Sequence, residues 1–129
     1  MEIQIERKLS YTRLAVRVVS IGKDYHILLQ GGECPHIGCT VLAVPRPSLE
    51  EAKQKMSSTA SVLNVIGHKD EQLCRYLAEQ IAAKTGAVTV CTGGFHVEHI
   101  TGQQIEEVLK SVREIAEEIT EEITGEIIR

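Results

Sequence analysis

Alternation of apolar and polar residues predicts three β-strands near the start of the chain. Leu14, Val16 and Val18 alternate with polar or charged neighbours, which is the pattern of a half-buried strand. Turn-forming residues at 21–24 separate this strand from the next, so the two are expected to form a hairpin. The three predicted strands are residues 1–8, 12–20 and 25–30, and the first of them is expected at an edge of the sheet.

Three further apolar runs predict strands later in the chain. The run at 38–44 should end at Pro45 and Pro47, because proline has no N–H to donate to a strand ladder. The run at 60–66 is rich in valine, leucine and isoleucine, which predicts a buried strand. A short run at 87–91 predicts a last strand.

Capping residues and helical spacing predict two helices between these strands. A capping box precedes a short helix over about 49–56, which the serines and threonine at 57–59 should end. Apolar residues three and four apart predict a second helix, which follows the turn at 67–70 and stops at Gly86. Residues 92–100 are then predicted as a loop.

The last helix has the clearest periodicity. Thr101 and Gln104 have capping-box spacing, and the helix is predicted over about 102–123. Its apolar seam is longer than a small sheet needs to cover it. Either the helix lies across the sheet, or its far end packs against a second subunit, which predicts a homodimer or higher homo-oligomer. The seam comprises Ile105, Leu109, Val112, Ala116, Ile119 and Ile123.

The order of these elements predicts an α/β fold. One mixed, mostly antiparallel β-sheet should carry helices mainly on one face, which gives a two-layer sandwich. The strands at 60–66 and 87–91 are expected to form a βαβ crossover with the helix between them. Since no linker or repeat divides the chain, residues 1–129 are predicted as a single domain.

Composition and charge exclude some classes of partner. The 129 residues are 43% hydrophobic and carry a net charge of −4, and residues 101–129 hold eight acidic against three basic groups. Aromatic residues make up 3% and no basic stripe exists, which argues against nucleic-acid binding. No apolar run approaches a membrane span. The first residues lack signal-peptide features, so a cytoplasmic location with reduced thiols is expected.

The segment from residue 31 to residue 39 has a composition that a packing core does not require. It combines three glycines with Cys34, His36 and Cys39 between two predicted strands. Glycine lets backbone approach a ligand closely. Related Gly/His sequences occur at 67–70 and 92–96, so the three segments are predicted to line one composite pocket.

Several chemistries are compatible with these residues. Cys34 with His36, His68 or His96 could serve as nucleophile and base, and His96 with His99 could share a metal ion. The ligand spacing of a structural zinc site is missing. At 67–70, free N–H groups at a helix start would favour a phosphate, with a lysine as a point charge. A thiol- or metal-dependent enzyme therefore stands beside a phosphate-binding protein as an alternative.

Four motifs in their order along the chain resemble the LpdD-like family, small proteins associated with UbiD-type decarboxylases and named for a small subunit linked to gallate decarboxylase. The resemblance covers about residues 12–110 and departs from the family pattern mainly in adding two cysteines of unassigned role. The motifs are Gly31-Gly32-x-x-Pro35-His36-Ile37-Gly38, Ala43-Val44-Pro45-Arg46-Pro47, Ser58-Thr59-x-Ser61-Val62-Leu63-Asn64-Val65-Ile66-Gly67-His68-Lys69-Asp70 and Gly94-Phe95-His96-Val97.

The resemblance implies a non-enzymatic chaperone that binds prenylated FMN, or FMN, and assists a UbiD-type (de)carboxylase after a flavin prenyltransferase has made the cofactor. A purely structural accessory subunit of a decarboxylase is a further alternative. Flat apolar walls are expected for the ring, hydrogen-bond donors for its polar edge, and N–H groups with a cation for the phosphate. The predicted cofactor-binding residues are Gly31, Gly32, Pro35, His36, Ile37, Gly38, Gly67, His68, Lys69, Gly93, Gly94, Phe95 and His96.

Overall fold

A computed structural model describes residues 1–47, 56–65 and 71–128, with side chains to residue 125. Six strands and two helices account for most of them, and no helix among these residues is long and apolar enough to cross a membrane. The strands are β1 (Glu2–Lys8), β2 (Arg13–Ile21), β3 (Asp24–Gly32), β4 (Cys39–Pro47), β5 (Met56–Asn64) and β6 (Thr89–His96). The helices are α1 (Glu71–Thr85) and α2 (Gly102–Ile128).

All six strands form one sheet in the order β1-β2-β3-β6-β4-β5. Only β3 and β6 pair in parallel, and the other neighbours are antiparallel. The helices pack on one face of this sheet, and alternate side chains of the strands, among them Val16, Ile27 and Val41, are fully buried there. The two-layer α/β sandwich predicted from the sequence is confirmed.

The apolar seam of α2 is buried within its own chain. Val112, Ile119 and Ile123 are at most 1% exposed and belong to the same core as the strands. Ile105, at the start of the seam, is partly exposed. The helix therefore lies across the sheet, and its seam gives no support to a second subunit packed on its far end.

The capping residues act as the sequence predicts at both helices. Thr101 Oγ1 accepts a hydrogen bond from the Gln104 N–H at 3.1 Å, and Gln104 Oε1 accepts one from the Thr101 N–H at 2.9 Å. These reciprocal bonds satisfy N–H groups that the first helical turn leaves without partners. At the end of α1, Gly86 adopts a left-handed φ of +72° and donates to the Ala82 carbonyl.

Strands β4 and β5 differ from the sequence prediction. Pro45 and Pro47 lie inside β4, because β4 pairs with β6 only as far as Ala43 and the missing N–H groups need no partner on that side. Residues 57–59 belong to β5, which is an exposed edge strand and not a buried one. The predicted helix over 49–56 falls mostly outside the described residues.

The predicted crossover between strands is present in a wider form. Both β5 and β6 run antiparallel to β4, which lies between them, so α1 connects two parallel strands that are not neighbours. Strand β6 continues to His96, so residues 92–96 are a strand and not the predicted loop. These residues pair with the C-terminal half of β3 in the middle of the sheet.

Candidate functional site

A six-residue loop, 33–38, crosses the sheet face that the helices leave open. Both of its ends are hydrogen-bonded to β6: the Glu33 N–H donates to the His96 carbonyl at 2.8 Å, and the Gly38 N–H donates to the Gly93 carbonyl at 2.9 Å. The loop and the neighbouring strands line an open cavity of about 430 Å³. This volume lies within the ~300–1,000 Å³ typical of small-molecule sites.

The cavity lies between the open face of the sheet and the loop, and both apolar and polar side chains line it. Ala15, Leu28 and Thr92 come from three adjacent strands, while Pro35 and Ile37 come from the loop. Ile37 is 66% exposed although it is apolar. Exposed apolar side chains around a concave site are typical of a surface that a ligand or partner covers.

Polar groups stand at the side of the cavity formed by β1, β2 and β3. Gln4 and Gln30 supply amides, and Arg17 supplies a guanidinium. The Arg17 Nε donates to Glu2 Oε1 at 2.8 Å, with both side chains about half exposed. This hydrogen bond and the charge of Arg17 lower the pKa of Glu2, so the pair is ionised at neutral pH.

Two of the predicted histidines lie near each other beside the loop. The His36 Nδ1 is 2.9 Å from the Cys34 carbonyl oxygen, a bond that orients the ring within the loop. The His36 and His96 ring centroids are 6.4 Å apart and nearly perpendicular. The His96 Nε2 is 3.3 Å from Glu98 Oε1. His36 lines the cavity, whereas His96 is exposed at the end of β6.

Glycines at this site lie where neighbouring strands leave no room for a side chain. A Cβ on Gly93, whose φ is +149°, would lie 1.7 Å from the Leu29 carbonyl oxygen. On Gly32 it would lie 2.0 Å from the His96 carbonyl oxygen, and on Gly31 2.6 Å from that of Arg13. Of the predicted glycines, Gly93 lines the cavity; Gly94 is buried in β6 beside Gln30.

Phe95 does not line the cavity. Its ring is 8% exposed on the opposite face of the sheet, inside the core, and meets Tyr11 edge-on at 6.4 Å between centroids. The alternation of β6 places Thr92 and His96 on the open face and Phe95 on the helix face. The predicted phosphate turn, with Gly67, His68 and Lys69, lies outside the described residues.

The thiols are dispersed over the molecule. Cys34 is an exposed free thiol in the loop, whereas Cys39 is buried with its Sγ 3.8 Å from the Gly93 carbonyl oxygen. Cys74 and Cys91 are buried in the core. Among the residues that the structure describes, no group of three or more His, Cys, Asp or Glu side chains is arranged to hold a metal ion.

The residues that form the floor and the charged side of the cavity were not predicted from the sequence. Arg17 is one of the charged residues that alternate with Val16 and Val18, and this pattern does not distinguish a ligand contact from a solvent-exposed side chain. A signal existed at Leu28, because Ile27, Leu28 and Leu29 interrupt the alternation that a solvent-facing strand should keep. Three apolar residues in a row indicate that both faces of β3 contact apolar groups.

The chain is similar to a known protein family and, in its fold, to a solved structure. The family model for the prenylated flavin chaperone LpdD-like domain matches residues 8–124. No curated protein matches the sequence. Among solved structures, one entitled "Crystal Structure of a Novel Chaperone Complex for Yeast 20S Proteasome Assembly" aligns with a TM-score of 0.52 at 16% identity, over 94% of this chain and 97% of that one. At that identity the likeness concerns the fold alone.

Proposed function

Because the chain belongs to the prenylated flavin chaperone LpdD-like family, we propose that it binds prenylated FMN between loop 33–38 and the open sheet face. In this proposal it receives the cofactor from a flavin prenyltransferase and hands it to a UbiD-type decarboxylase, without catalysing decarboxylation. The observation that carries the proposal is the cavity of about 430 Å³, which is lined by apolar side chains of the sheet and the loop and by polar groups of β1, β2 and β3.

The chemistry of the lining residues fits such a ligand. An isoalloxazine ring is planar, and Leu28 on the sheet and Pro35 on the loop can cover its two faces. The amides of Gln4 and Gln30 can bond its carbonyl and nitrogen edge. Oriented polar groups around an apolar floor are what fixes a cofactor in one pose.

Arg17 is the candidate partner of the ligand's phosphate. Among the described residues that line the cavity, it carries the one guanidinium, and such a group binds phosphate through two parallel N–H bonds. Glu2 competes for the same guanidinium in the protein without ligand. The predicted second contribution, from Gly67 and Lys69, remains a prediction.

A carrier must hold its ligand without reacting with it. Cys34 is exposed on the loop, and its backbone carbonyl oxygen is 2.9 Å from the His36 Nδ1. In this proposal the groups that line the cavity bind the ligand, and Cys34 takes no part in a reaction. Release to an enzyme is favoured by a cavity that is open at its side.

The test is co-expression with a flavin prenyltransferase, followed by the absorption spectrum and the intact mass of the released ligand. We expect a yellow protein that carries prenylated FMN. A colourless protein with no affinity for FMN or its prenylated form contradicts the proposal. Recovery of a decarboxylase in a pull-down that does not depend on flavin would favour the structural-subunit alternative.

Arg17→Gln should reduce retention of the phosphorylated flavin about tenfold or more, because a charge-assisted bidentate contact is lost. Arg13→Gln is the matched control, since Arg13 is on the same strand and the same face but does not line the cavity. Glu2→Gln should leave retention unchanged or stronger, because it frees Arg17 from a competing carboxylate. Equal losses in the two arginine variants would remove Arg17 from the site.

A further inference from the structure

The two edges of the sheet differ in their chemistry. Strand β1 has four charged residues among seven, and its Arg7 is paired with Glu118 of α2. Strand β5, at the other edge, has nine residues with neither a charge nor a proline. Edge strands of soluble proteins usually carry charged residues or proline, because these residues prevent pairing with a strand of another chain. The β1 edge is protected in this way and the β5 edge is not.

The backbone of β5 has hydrogen-bonding groups directed away from the sheet. The Val65 N–H donates to the Gly38 carbonyl at 2.8 Å, so Val65 is directed toward the β4 side. Because successive residues of a strand point to opposite sides, the N–H and C=O groups of Ser58, Ala60, Val62 and Asn64 face outward. No strand among the described residues pairs with this outer side.

The side chains near this edge favour a partner with the same composition. On the open face, Leu63 is 76% exposed, and Val44 on the neighbouring strand is 44% exposed. On the helix face, Ala60 and Val62 are partly buried against the core. A strand laid beside β5 would cover apolar groups on both faces, and the charge nearest to it on the open face would be Arg46 of β4, whose Nε donates to Thr59 Oγ1 at 2.7 Å.

We infer that β5 pairs antiparallel with β5 of a second copy of this chain and joins the two sheets into one of twelve strands. The two-fold axis would pass near Ala60, the middle residue of β5, and would place Thr59 opposite Ser61 of the other copy. Such small hydroxyl pairs are favourable across strands. Every outward N–H and C=O of one copy then meets its counterpart in the other.

This pairing fixes how the two copies are oriented. Antiparallel pairing within one sheet requires a two-fold axis perpendicular to that sheet, so both open faces lie on the same side and all four helices on the other. The two cavities under loop 33–38 would then open on one common surface. The inference concerns assembly alone and does not depend on which ligand the cavities hold.

The experiment is sedimentation equilibrium of the full chain over a range of concentrations. The wild type should be a dimer, and Ser61→Lys should weaken self-association roughly tenfold or more, because it places a positive charge near its own copy and near Arg46, whose Nε donates to Thr59 Oγ1 at 2.7 Å. Ser61→Glu brings a carboxylate to the same Arg46 and should therefore weaken self-association less than Ser61→Lys does. Gln103→Lys is the control for Ser61→Lys. It adds one positive charge at an exposed position of α2 and should leave the dimer intact.

Mixing the two Ser61 variants separates edge pairing from misfolding. In an equimolar mixture the opposite charges should restore a dimer that contains one copy of each variant, which native mass spectrometry identifies. A wild type that stays monomeric at the highest attainable concentration overturns the inference, as does a dimer that neither Ser61 variant weakens. Circular dichroism of each variant checks that the fold is retained.

Discussion

At the scale of single residues, glycine decides whether the centre of the sheet can form. Strands β3 and β6 approach so closely that Gly93 and Gly32 have carbonyl oxygens where a Cβ would stand. Both also have a positive φ, which L-residues rarely adopt. The glycine-rich motifs are visible in the sequence, but the sequence does not tell a glycine that faces a neighbouring strand from one that faces a ligand.

Replacing Gly93 with alanine should lower the free energy of unfolding by about 3 kcal/mol or more, because steric overlap adds to an unfavourable φ. Gly125→Ala is the control, since nothing lies within 4 Å of the added methyl group and alanine favours a helix by up to about 1 kcal/mol. Urea denaturation of both variants measures the difference. A Gly93→Ala protein as stable as Gly125→Ala would contradict the packing argument.

At the scale of elements, local sequence patterns are sufficient to predict an element whose structure depends mainly on its own residues. The hairpin of β2 and β3, the core-facing residues of α1 and the cap of α2 all follow from short-range periodicity and capping. The edge position of β5 and the continuation of β4 through two prolines were not predicted. Both depend on which strand lies alongside, and this information is spread over distant parts of the chain.

One contact between elements makes stability depend on pH. The Ser10 N–H and hydroxyl donate to the two carboxylate oxygens of Glu107 in α2 at 2.8 and 2.6 Å. These bonds lower the pKa of Glu107 below the usual 4.5. A carboxylate with a lowered pKa in the folded state stabilises the protein above pH 4.5, and this contribution is lost as the pH falls through the folded-state pKa.

Glu107→Gln should therefore lower the melting temperature at neutral pH and have a progressively smaller effect as the pH falls below 4.5. Thermal unfolding monitored by circular dichroism at a series of pH values between 3 and 7 measures the difference in melting temperature between the variant and the wild type. Glu106→Gln is the control at an exposed neighbouring position of the same helix. A difference from wild type that stays constant down to pH 3 would show that Ser10 and Glu107 do not interact in this way.

At the scale of the whole molecule, the candidate site exists only when the sheet is assembled. Its lining combines Gln4, Ala15, Leu28 and Thr92, which come from four strands and span most of the sequence. The sequence predicts the loop residues Pro35, His36 and Ile37, because their composition is unusual. It does not predict the part of the lining that the strands supply, because ordinary strand residues become a site only through the register of their neighbours.

A ligand that binds only the folded chain should raise its melting temperature with increasing concentration, by the equivalent of about 2.7 kcal/mol at 100 times the dissociation constant. In the proposed site FMN should give a larger shift than riboflavin, which lacks the phosphate. Thermal unfolding with a concentration series of each compound tests this. In Arg17→Gln the advantage of FMN over riboflavin should become smaller by about tenfold in affinity, whereas an undiminished FMN advantage would place the phosphate away from Arg17.

The two hydrogen bonds that fasten loop 33–38 to β6 have a consequence for how cargo is exchanged. These bonds fix the positions of residues 33 and 38 on β6, so that residues 34–37 can move only about these two fixed ends. A ligand bound beneath the loop would then enter and leave through the open side of the cavity. In the proposed transfer, the recipient enzyme would therefore contact the opening of the cavity.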